Sequence, residues 1–182
     1  MKYTAIYDVS KAIAEVLRGG VVPDIISKPE EVGLCSPANH GDYVMGIYLY
    51  NIEQSESFRI SGRQNEGLYI QKHPPIVLDL FYMITPYFKT DVKFLAEQEQ
   101  LLFGRTVQMI NDNPRILTET TEPVELELIY PIADDKQKIW NSDEHYRTSV
   151  FLRAKAVVIE SQRSETVSRV TDIRITADQK RG

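Results

Sequence analysis

The sequence has a single cysteine, no long uninterrupted apolar run and no excess of positive charge. Cys35 has no partner for an intramolecular disulfide, which fits a reducing compartment. No segment approaches the ~18–20 continuous apolar residues that a membrane span requires. The formal net charge of −5 argues against binding to duplex nucleic acid, since such proteins normally present a basic face. We therefore expect neither nucleic acid nor a membrane among the partners.

Motifs that carry chemistry are also scarce. His40, His73 and His145 fall in three separate predicted loops, and no pair has the HxxxH or HExxH spacing of metal ligands. The glycines do not open a helix in the way that a phosphate-binding loop requires. The sequence therefore predicts no metal, no cofactor and no catalytic residue.

Asp79 and Cys35 are the two residues for which a catalytic role could still be argued. A carboxylate among the apolar residues around Asp79 is costly to bury unpaired, so it is either an acid with a raised pKa or a structural acid. No second carboxylate lies nearby on the same strand, which favours a structural contact with an arginine, a lysine or a backbone N–H. A Cys35–His40 pair is conceivable as a nucleophile with its base. Loop residues five apart rarely meet that geometry, so a solvated or packed position is favoured.

Apolar spacing predicts the main elements of the first half. Pro74–Tyr87 is apolar at most positions, which is typical of a strand buried on both faces. A helix is predicted over Tyr3–Arg18, and Gly19-Gly20 should end it because glycine accepts the left-handed cap conformation. Tyr43–Ile52 should form another strand covered on both faces. Glu53–Lys72 is polar, and a loop of that length in a compact domain is often a contact loop.

Caps, alternation and chain breakers predict the other elements. A short strand should run over Val21–Ile26, and Asp91 or Thr90 can cap a helix that stops before Asn113-Pro114. The expected buried side chains of that helix are Phe94, Leu101, Leu102 and Met109. The other predicted elements are strands over Val124–Tyr130 and Thr148–Ile159 and a short helix over Asp134–Trp140.

These elements predict one α/β (α+β) domain over residues 1–161, with a mixed, mostly antiparallel β-sheet flanked by helices. Residues 162–182 form a predicted tail that could add one more strand at Val167–Ile175. Thr148–Ile159 is predicted to lie near a sheet edge. Arg153 and Lys155 on it would then discourage unwanted strand pairing.

Four sequence blocks together resemble the cap, or tail-terminator, proteins of contractile injection systems. These phage-tail-like particles include the antifeeding prophage and the Photorhabdus virulence cassette. The blocks are, in chain order, IYDVSKAIAEVL, GIYLYNIEQSESFR, PPIVLDLFYMITPY and EQEQLLFGRTVQMINDNP. The last is the most specific, with Gln-Leu-Leu, then Gly-Arg, and a helix that ends at Asn-Pro. VELELIYPIADDKQKIWNS and YRTSVFLRAKAVVIES are similar to the family's closing elements, so the likeness spans residues 3–161.

The resemblance implies a tail-terminator-like fold and a structural role, not an enzyme. Such a protein would form a ring, expected to be a hexamer, on the distal end of a contractile sheath and inner tube. The ring would end polymerisation and couple sheath to tube, so the implied partners are the sheath protein, the inner tube protein and further copies of this chain. Synthesis in the cytoplasm is expected, with release of the assembled particle by lysis.

Two interface hypotheses follow from the resemblance. Arg59, Arg63 and Lys72 are assigned to contact with the tube or a neighbouring subunit. The strand that carries Arg153 and Lys155 is assigned to the edge that receives a strand from the sheath.

Two other functions remain open from the sequence. One is a tail terminator or neck protein of a contractile bacteriophage, which does the same kind of work in another particle. The other belongs to a different class, a small cytoplasmic enzyme that uses Asp79 or Cys35.

Overall fold

The architecture is known from a computed structural model, which describes residues 3–56, 62, 64–66, 70–118, 123–132, 136, 138, 140 and 147–166. The helices are α1 (Ala5–Val21) and α2 (Val92–Asp112). The strands are β1 (Val32–Leu34), β2 (Met45–Gln54), β3 (Gln64–Glu66), β4 (Ile70–Lys72), β5 (Ile76–Pro86), β6 (Arg115–Ile116), β7 (Val124–Ile129), β8 (Val150–Ile159) and β9 (Ser164–Thr166). No described helix has the length and hydropathy needed to cross a membrane.

The described strands form two sheets. The larger has six strands in the order β1-β2-β5-β8-β7-β6, and the smaller has three in the order β3-β4-β9. Only the β1–β2 pair is parallel among the strand pairs of the described chain. The predicted fold class, a mixed and mostly antiparallel sheet with flanking helices, is therefore confirmed.

The core lies between the two helices and one face of the six-stranded sheet. Val9, Ile13 and Leu17 of α1 are fully buried in one apolar cluster with Leu80 of β5 and Leu152 of β8. Burial of each such side chain contributes roughly 1.5–3 kcal/mol. The opposite face holds a second, smaller cluster at one end of the sheet. Its buried members are Met83, Tyr87, Trp140 and Phe151.

The first helix passes through the glycines that were predicted to end it. Gly19 and Gly20 are both helical, and α1 continues to Val21. Gly20 is buried because α2 lies against it: a methyl group added there would meet the Met109 side chain at 2.3 Å. The Nε–H of Arg105 also donates a hydrogen bond to the Gly20 carbonyl at 2.7 Å. The glycine thus permits close helix packing, and the prediction that it is a cap was wrong.

The short strand predicted over Val21–Ile26 is absent from the described chain. The N–H groups of Ile25 and Ile26 both donate to the Val21 carbonyl, at 2.9 and 3.0 Å, so a turn follows the helix. Within the predicted loop Glu53–Lys72, β2 extends to Gln54, and β3 and β4 provide short strands. The second strand is covered on both faces only in its first half, since residues 51–54 are exposed.

The second helix begins as predicted and buries a different stripe. Asp91 is its N-cap and accepts a hydrogen bond from the Lys93 N–H at 3.4 Å. The fully buried side chains are Leu102, Thr106 and Ile110. Leu102 and the packed Met109 confirm two of the predicted positions. Phe94 and Leu101 are 55% and 58% exposed, because the first half of α2 has no buried residue.

The strand predicted near a sheet edge lies inside the sheet. β8 pairs with β5 on one side and with β7 on the other. The β6–β7 hairpin, which precedes β8 in the chain, covers the side that was expected to be open. β8 is therefore paired on both sides, and the prediction that it lies near an edge was wrong. Its charged residues lie on the sheet face that points away from the helices.

Two further predictions fall partly or wholly outside the described residues. Lys136 and Lys138 are helical, and the Trp140 N–H donates to the Lys136 carbonyl at 3.3 Å, as a helix there requires. The remainder of Asp134–Trp140 lies outside the described residues. So does the whole of Val167–Ile175.

Candidate functional site

The open face of the six-stranded sheet carries a ladder of alternating charges. In the β7–β8 register, Glu125 lies opposite Lys155 and Glu127 lies opposite Arg153. The Lys155 Nζ is 3.1 Å from Glu125 Oε1 and 3.2 Å from Glu127 Oε2. The Arg153 Nη1 is 3.9 Å from Glu127 Oε2, and its Nη2 donates to Asp79. Arg153 and Lys155 are therefore brought together, but on a sheet face and not at an edge.

Asp79 is the buried end of this ladder. A register shift in the β5–β8 pairing places it opposite a bulge, where Ala156 has a φ of 57°. The Ala156 N–H donates to Asp79 Oδ1 at 3.0 Å, and the Arg153 guanidinium binds Oδ2. Asp79 is only 3% exposed, and each of its two carboxylate oxygens has a hydrogen-bond partner. This is the structural contact with an arginine and a backbone N–H that the sequence favours.

Both cations of the ladder are held in their charged form. The hydrogen bond to Asp79 raises the pKa of Arg153 above its ordinary value, and nearby Glu127 and Glu53 act in the same direction. Hydrogen bonds to Glu125 and then Glu127 raise the pKa of Lys155. Neither side chain is therefore poised to exchange a proton near neutral pH.

Cys35 lies at the margin of the aromatic cluster on the same face. It packs against the group that contains Tyr87 and Trp140, and burial raises the pKa of its thiol. A catalytic thiol usually has the opposite shift, since the thiolate is the reactive form. The His40 ring stacks on Tyr87 with centroids 4.0 Å apart. Among the described residues, no group of His, Cys, Asp or Glu comes together that could hold a metal ion.

The predicted contact loop is described only in part. Lys72 is the last residue of β4, half-buried in the middle strand of the three-stranded sheet. Arg59 and Arg63 lie outside the described residues, so their assignment to a contact with the tube or a neighbouring subunit stays a prediction. Beside this sheet, His73 Nε2 is 3.2 Å from Glu165 Oε1 on β9.

Several exposed apolar side chains were not predicted as surface features. Leu117 follows β6 and is 78% exposed, and Tyr130 and Ile132 after β7 are 83% and 67% exposed. The strand predicted over Val124–Tyr130 ends at Ile129, which leaves the Tyr130 ring in solvent. The charge ladder itself had a signal in the sequence, because the pattern Glu-x-Glu on β7 matches Arg-x-Lys on β8.

Comparisons with known proteins identify relatives of this fold. The sequence profile described as the Pvc16 N-terminal domain matches residues 8–172. A cryo-EM structure of the PVC sheath/tube terminator of an extracellular contractile injection system, in the extended state, has a TM-score of 0.69 and 16% identity. That alignment covers 96% of this chain and 64% of the other. A cryo-EM structure of the anti-feeding prophage cap, the AFP tube-terminating cap, has a TM-score of 0.71 and 17% identity.

The second alignment covers 94% of this chain and 61% of the other. The chain thus spans less than two thirds of the length of either protein. At these identities the likeness shows a shared fold. No curated protein sequence matches the chain.

Proposed function

The chain belongs to the Pvc16 N-terminal domain family, and from this premise we propose that it caps the distal end of a contractile injection particle. In this role it terminates the contractile sheath and the inner tube and couples one to the other. The observation that carries the proposal is the whole-chain fold match to a sheath/tube terminator and to a tube-terminating cap. The role is structural, without catalysis.

The charge ladder and the paired Asp79 support a structural role over an enzymatic one. Both carboxylate oxygens of Asp79 have a structural partner, the Arg153 guanidinium and the Ala156 N–H at the bulge. The Cys35 thiol has a raised pKa. A rigid sheet with paired charges is instead suited to holding its shape while other chains bind around it.

A ring of copies, expected to be a hexamer, accounts for how one small domain could stop a long polymer. Each copy would make modest contacts with sheath and tube. In a ring, one bound copy raises the effective concentration of the others, so the overall affinity exceeds that of a single copy. A closed ring requires two different, complementary surfaces on every subunit. Assembly in the cytoplasm and release by lysis complete the proposal.

The experiment that tests the function is to label the chain in its native cell and to image sedimenting particles by electron microscopy. We expect label at one end of tubular particles, opposite the baseplate, and tubes of irregular length when the gene is deleted. Label that stays soluble and never meets a tube would overturn the proposal. A particle with a capsid and portal would point to a contractile bacteriophage instead.

The loop assignment can be tested in the same particles. Arg59→Glu with Arg63→Glu should reduce the labelled fraction of particle ends if these cations contact the tube or a neighbour. Lys93→Glu, on an exposed helix surface, is the matched charge-reversal control and should leave labelling unchanged. Equal labelling in both variants would remove the loop hypothesis without affecting the capping role.

A further inference from the structure

The two edges of the six-stranded sheet differ in how their backbone groups are used. At the β1 edge, Arg18 Nε and Nη2 both donate to the Val32 carbonyl, at 3.1 and 2.7 Å. An arginine that occupies an edge carbonyl blocks the approach of another strand there. The β1 edge is therefore protected.

The β6 edge presents its backbone outward. The Leu126 N–H donates to the Pro114 carbonyl at 2.8 Å, and hydrogen-bonded pairs alternate with non-bonded pairs in an antiparallel ladder. Arg115, opposite Glu125, consequently points its N–H and C=O away from β7. This is the geometry that an added strand requires.

A groove of mixed lining runs beside this edge. Its apolar side chains are Ala12, Val16, Ile116 and Leu117, and its polar ones are Asp8, Lys11, Glu15 and Thr118. The groove has a volume of ≈ 440 Å³. Leu117, which directly follows β6, is a large apolar side chain that is 78% exposed. Edge and groove together fit an extended segment whose alternate side chains are apolar.

We propose that the occupant is Val170–Thr176 of a second copy of this chain, which would add a seventh strand beyond β6. The proposal rests on the ring of the proposed function and names the contact that would join its neighbours. The segment reads VTDIRIT, with Ile173 and Ile175 alternating with Asp172 and Arg174. With both isoleucines in the groove, the charged pair lies on the other face of the sheet.

Charge and reach support this occupant. On the open face, Arg115 lies opposite Glu125, so Asp172 of the incoming strand would meet a charge of opposite sign at Arg115. The segment begins four residues after Thr166, where β9 is paired with β4. At roughly 3.3 Å per residue, an extended chain from Thr166 to Ile173 spans about 23 Å.

An exchanged strand also provides what ring closure demands. The edge of β6 and its groove accept a strand from one neighbour. The segment after β9, a different surface, supplies a strand to the other neighbour. A contact between two unlike surfaces propagates around a ring, whereas a self-complementary contact stops at a dimer. Main-chain hydrogen bonds supply affinity, and the groove sets the register.

The test joins the two surfaces across subunits. Two differently tagged chains, both with Cys35→Ser, are co-expressed; one carries Leu117→Cys and the other carries Ile173→Cys. A short bismaleimide is added to the clarified lysate, and one tag is captured while the other is detected. We expect a covalent dimer that carries both tags. The matched control replaces Leu117→Cys by Leu101→Cys, another exposed leucine that lies on α2, and should give none.

Other occupants of the groove appear as distinct products. A single chain with both Leu117→Cys and Ile173→Cys that crosslinks only within itself would overturn the exchange. A product between Leu117→Cys and another particle protein, with no dimer, would also overturn it, as would the absence of any product. Label at the particle end without the crosslinked dimer would refute the strand exchange and leave the capping role intact. A crosslinked dimer without label at the particle end would refute the capping role and leave the strand exchange intact.

A second pair of variants tests the backbone of the edge. Arg115→Pro deletes the outward N–H, whereas Arg115→Ser removes the long side chain and keeps that donor. We expect the ring fraction in native mass spectrometry to fall about tenfold more for proline than for serine. Circular dichroism confirms that both variants are folded. Equal ring fractions in folded variants would contradict strand addition.

Discussion

Asp79 supports a part of β8 that the strand ladder leaves unsatisfied. The bulge turns the Ala156 N–H out of the regular pairing, and a φ of 57° is a backbone conformation that alanine rarely adopts. The carboxylate accepts that N–H and also holds Arg153 in place. A single acid therefore stabilises both the bulge and the charge ladder.

Replacing this acid should lower stability without altering chemistry. Asp79→Asn keeps an acceptor for Ala156 but loses the charge opposite Arg153, so we expect the free energy of unfolding to fall by about 1–3 kcal/mol. Asp79→Ala should cost more, since the Ala156 N–H is then left without its acceptor. Urea unfolding measures both.

The control for these variants is Glu125→Gln on the exposed end of the same ladder. The expected change there is within about 0.5 kcal/mol, because Lys155 keeps Glu127 and surface ion pairs contribute little. If Asp79→Asn were as mild as Glu125→Gln, the structural role of the buried acid would be refuted.

The thiol of Cys35 should be slow to react. Burial raises its pKa, and packing against the aromatic cluster limits access. We expect the native protein to react with a disulfide reagent several-fold more slowly than the unfolded chain at the same pH. In a Cys35→Ser background, Leu117→Cys supplies an exposed thiol as the fast control. A native rate for Cys35 as high as that control would revive the nucleophile hypothesis.

Two adjacent glycines of α1 differ in their surroundings, because only Gly20 lies against α2. A methyl group at Gly20 would lie 2.3 Å from the Met109 side chain, whereas one at Gly19 meets nothing within 4 Å. Both residues are helical, so alanine has the same propensity advantage over glycine at each. Only the packing differs between them.

Alanine at these two positions should therefore have opposite effects. Gly19→Ala should raise stability by about 0.5–1 kcal/mol, or a melting temperature by about 2–4 °C. Gly20→Ala should lower stability, because overpacking costs about 1–3 kcal/mol and exceeds the propensity advantage. Thermal unfolding of the two variants decides the matter. A rise in melting temperature for both would mean that Met109 moves aside freely.

Across the whole molecule, the buried hydroxyl of Tyr82 joins the sheet to the first helix. Its oxygen is 2.9 Å from the Ser10 Oγ, and the Ser10 hydroxyl donates to the Ile6 carbonyl. Burial raises the pKa of Tyr82 to about 12, and the Ser10 hydrogen bond opposes this shift only in part. The folded protein therefore holds the phenol proton more tightly than the unfolded chain does.

This proton should make the fold sensitive to alkaline pH. The contribution is complete below pH 10, the ordinary pKa, and is lost as the pH rises to about 12. The loss is at most about 1.4 kcal/mol per pH unit. Tyr82→Phe should flatten the decline of unfolding free energy in this window. Tyr130→Phe, on a ring that is 83% exposed, should leave the slope unchanged. Equal slopes in the two variants would contradict this assignment.

Local features of the molecule followed from local sequence. The run Pro74–Tyr87 predicted β5, because a strand buried on both faces must be apolar along its length. Asp91 predicted the start of α2, since capping involves only neighbouring residues. Asp79 was expected to meet an arginine or a backbone N–H, and it meets both.

By itself, the sequence determined the main helices and the buried strands, the mixed sheet and the family to which the chain belongs. Only the tertiary structure decided that β8 lies inside the sheet, that Gly20 is a packing site and that β6 is an edge strand among the described residues. The physical reason is that periodicity and capping act over a few residues. Strand order and helix contacts join residues far apart in the chain, and the same alternating pattern is compatible with several partners.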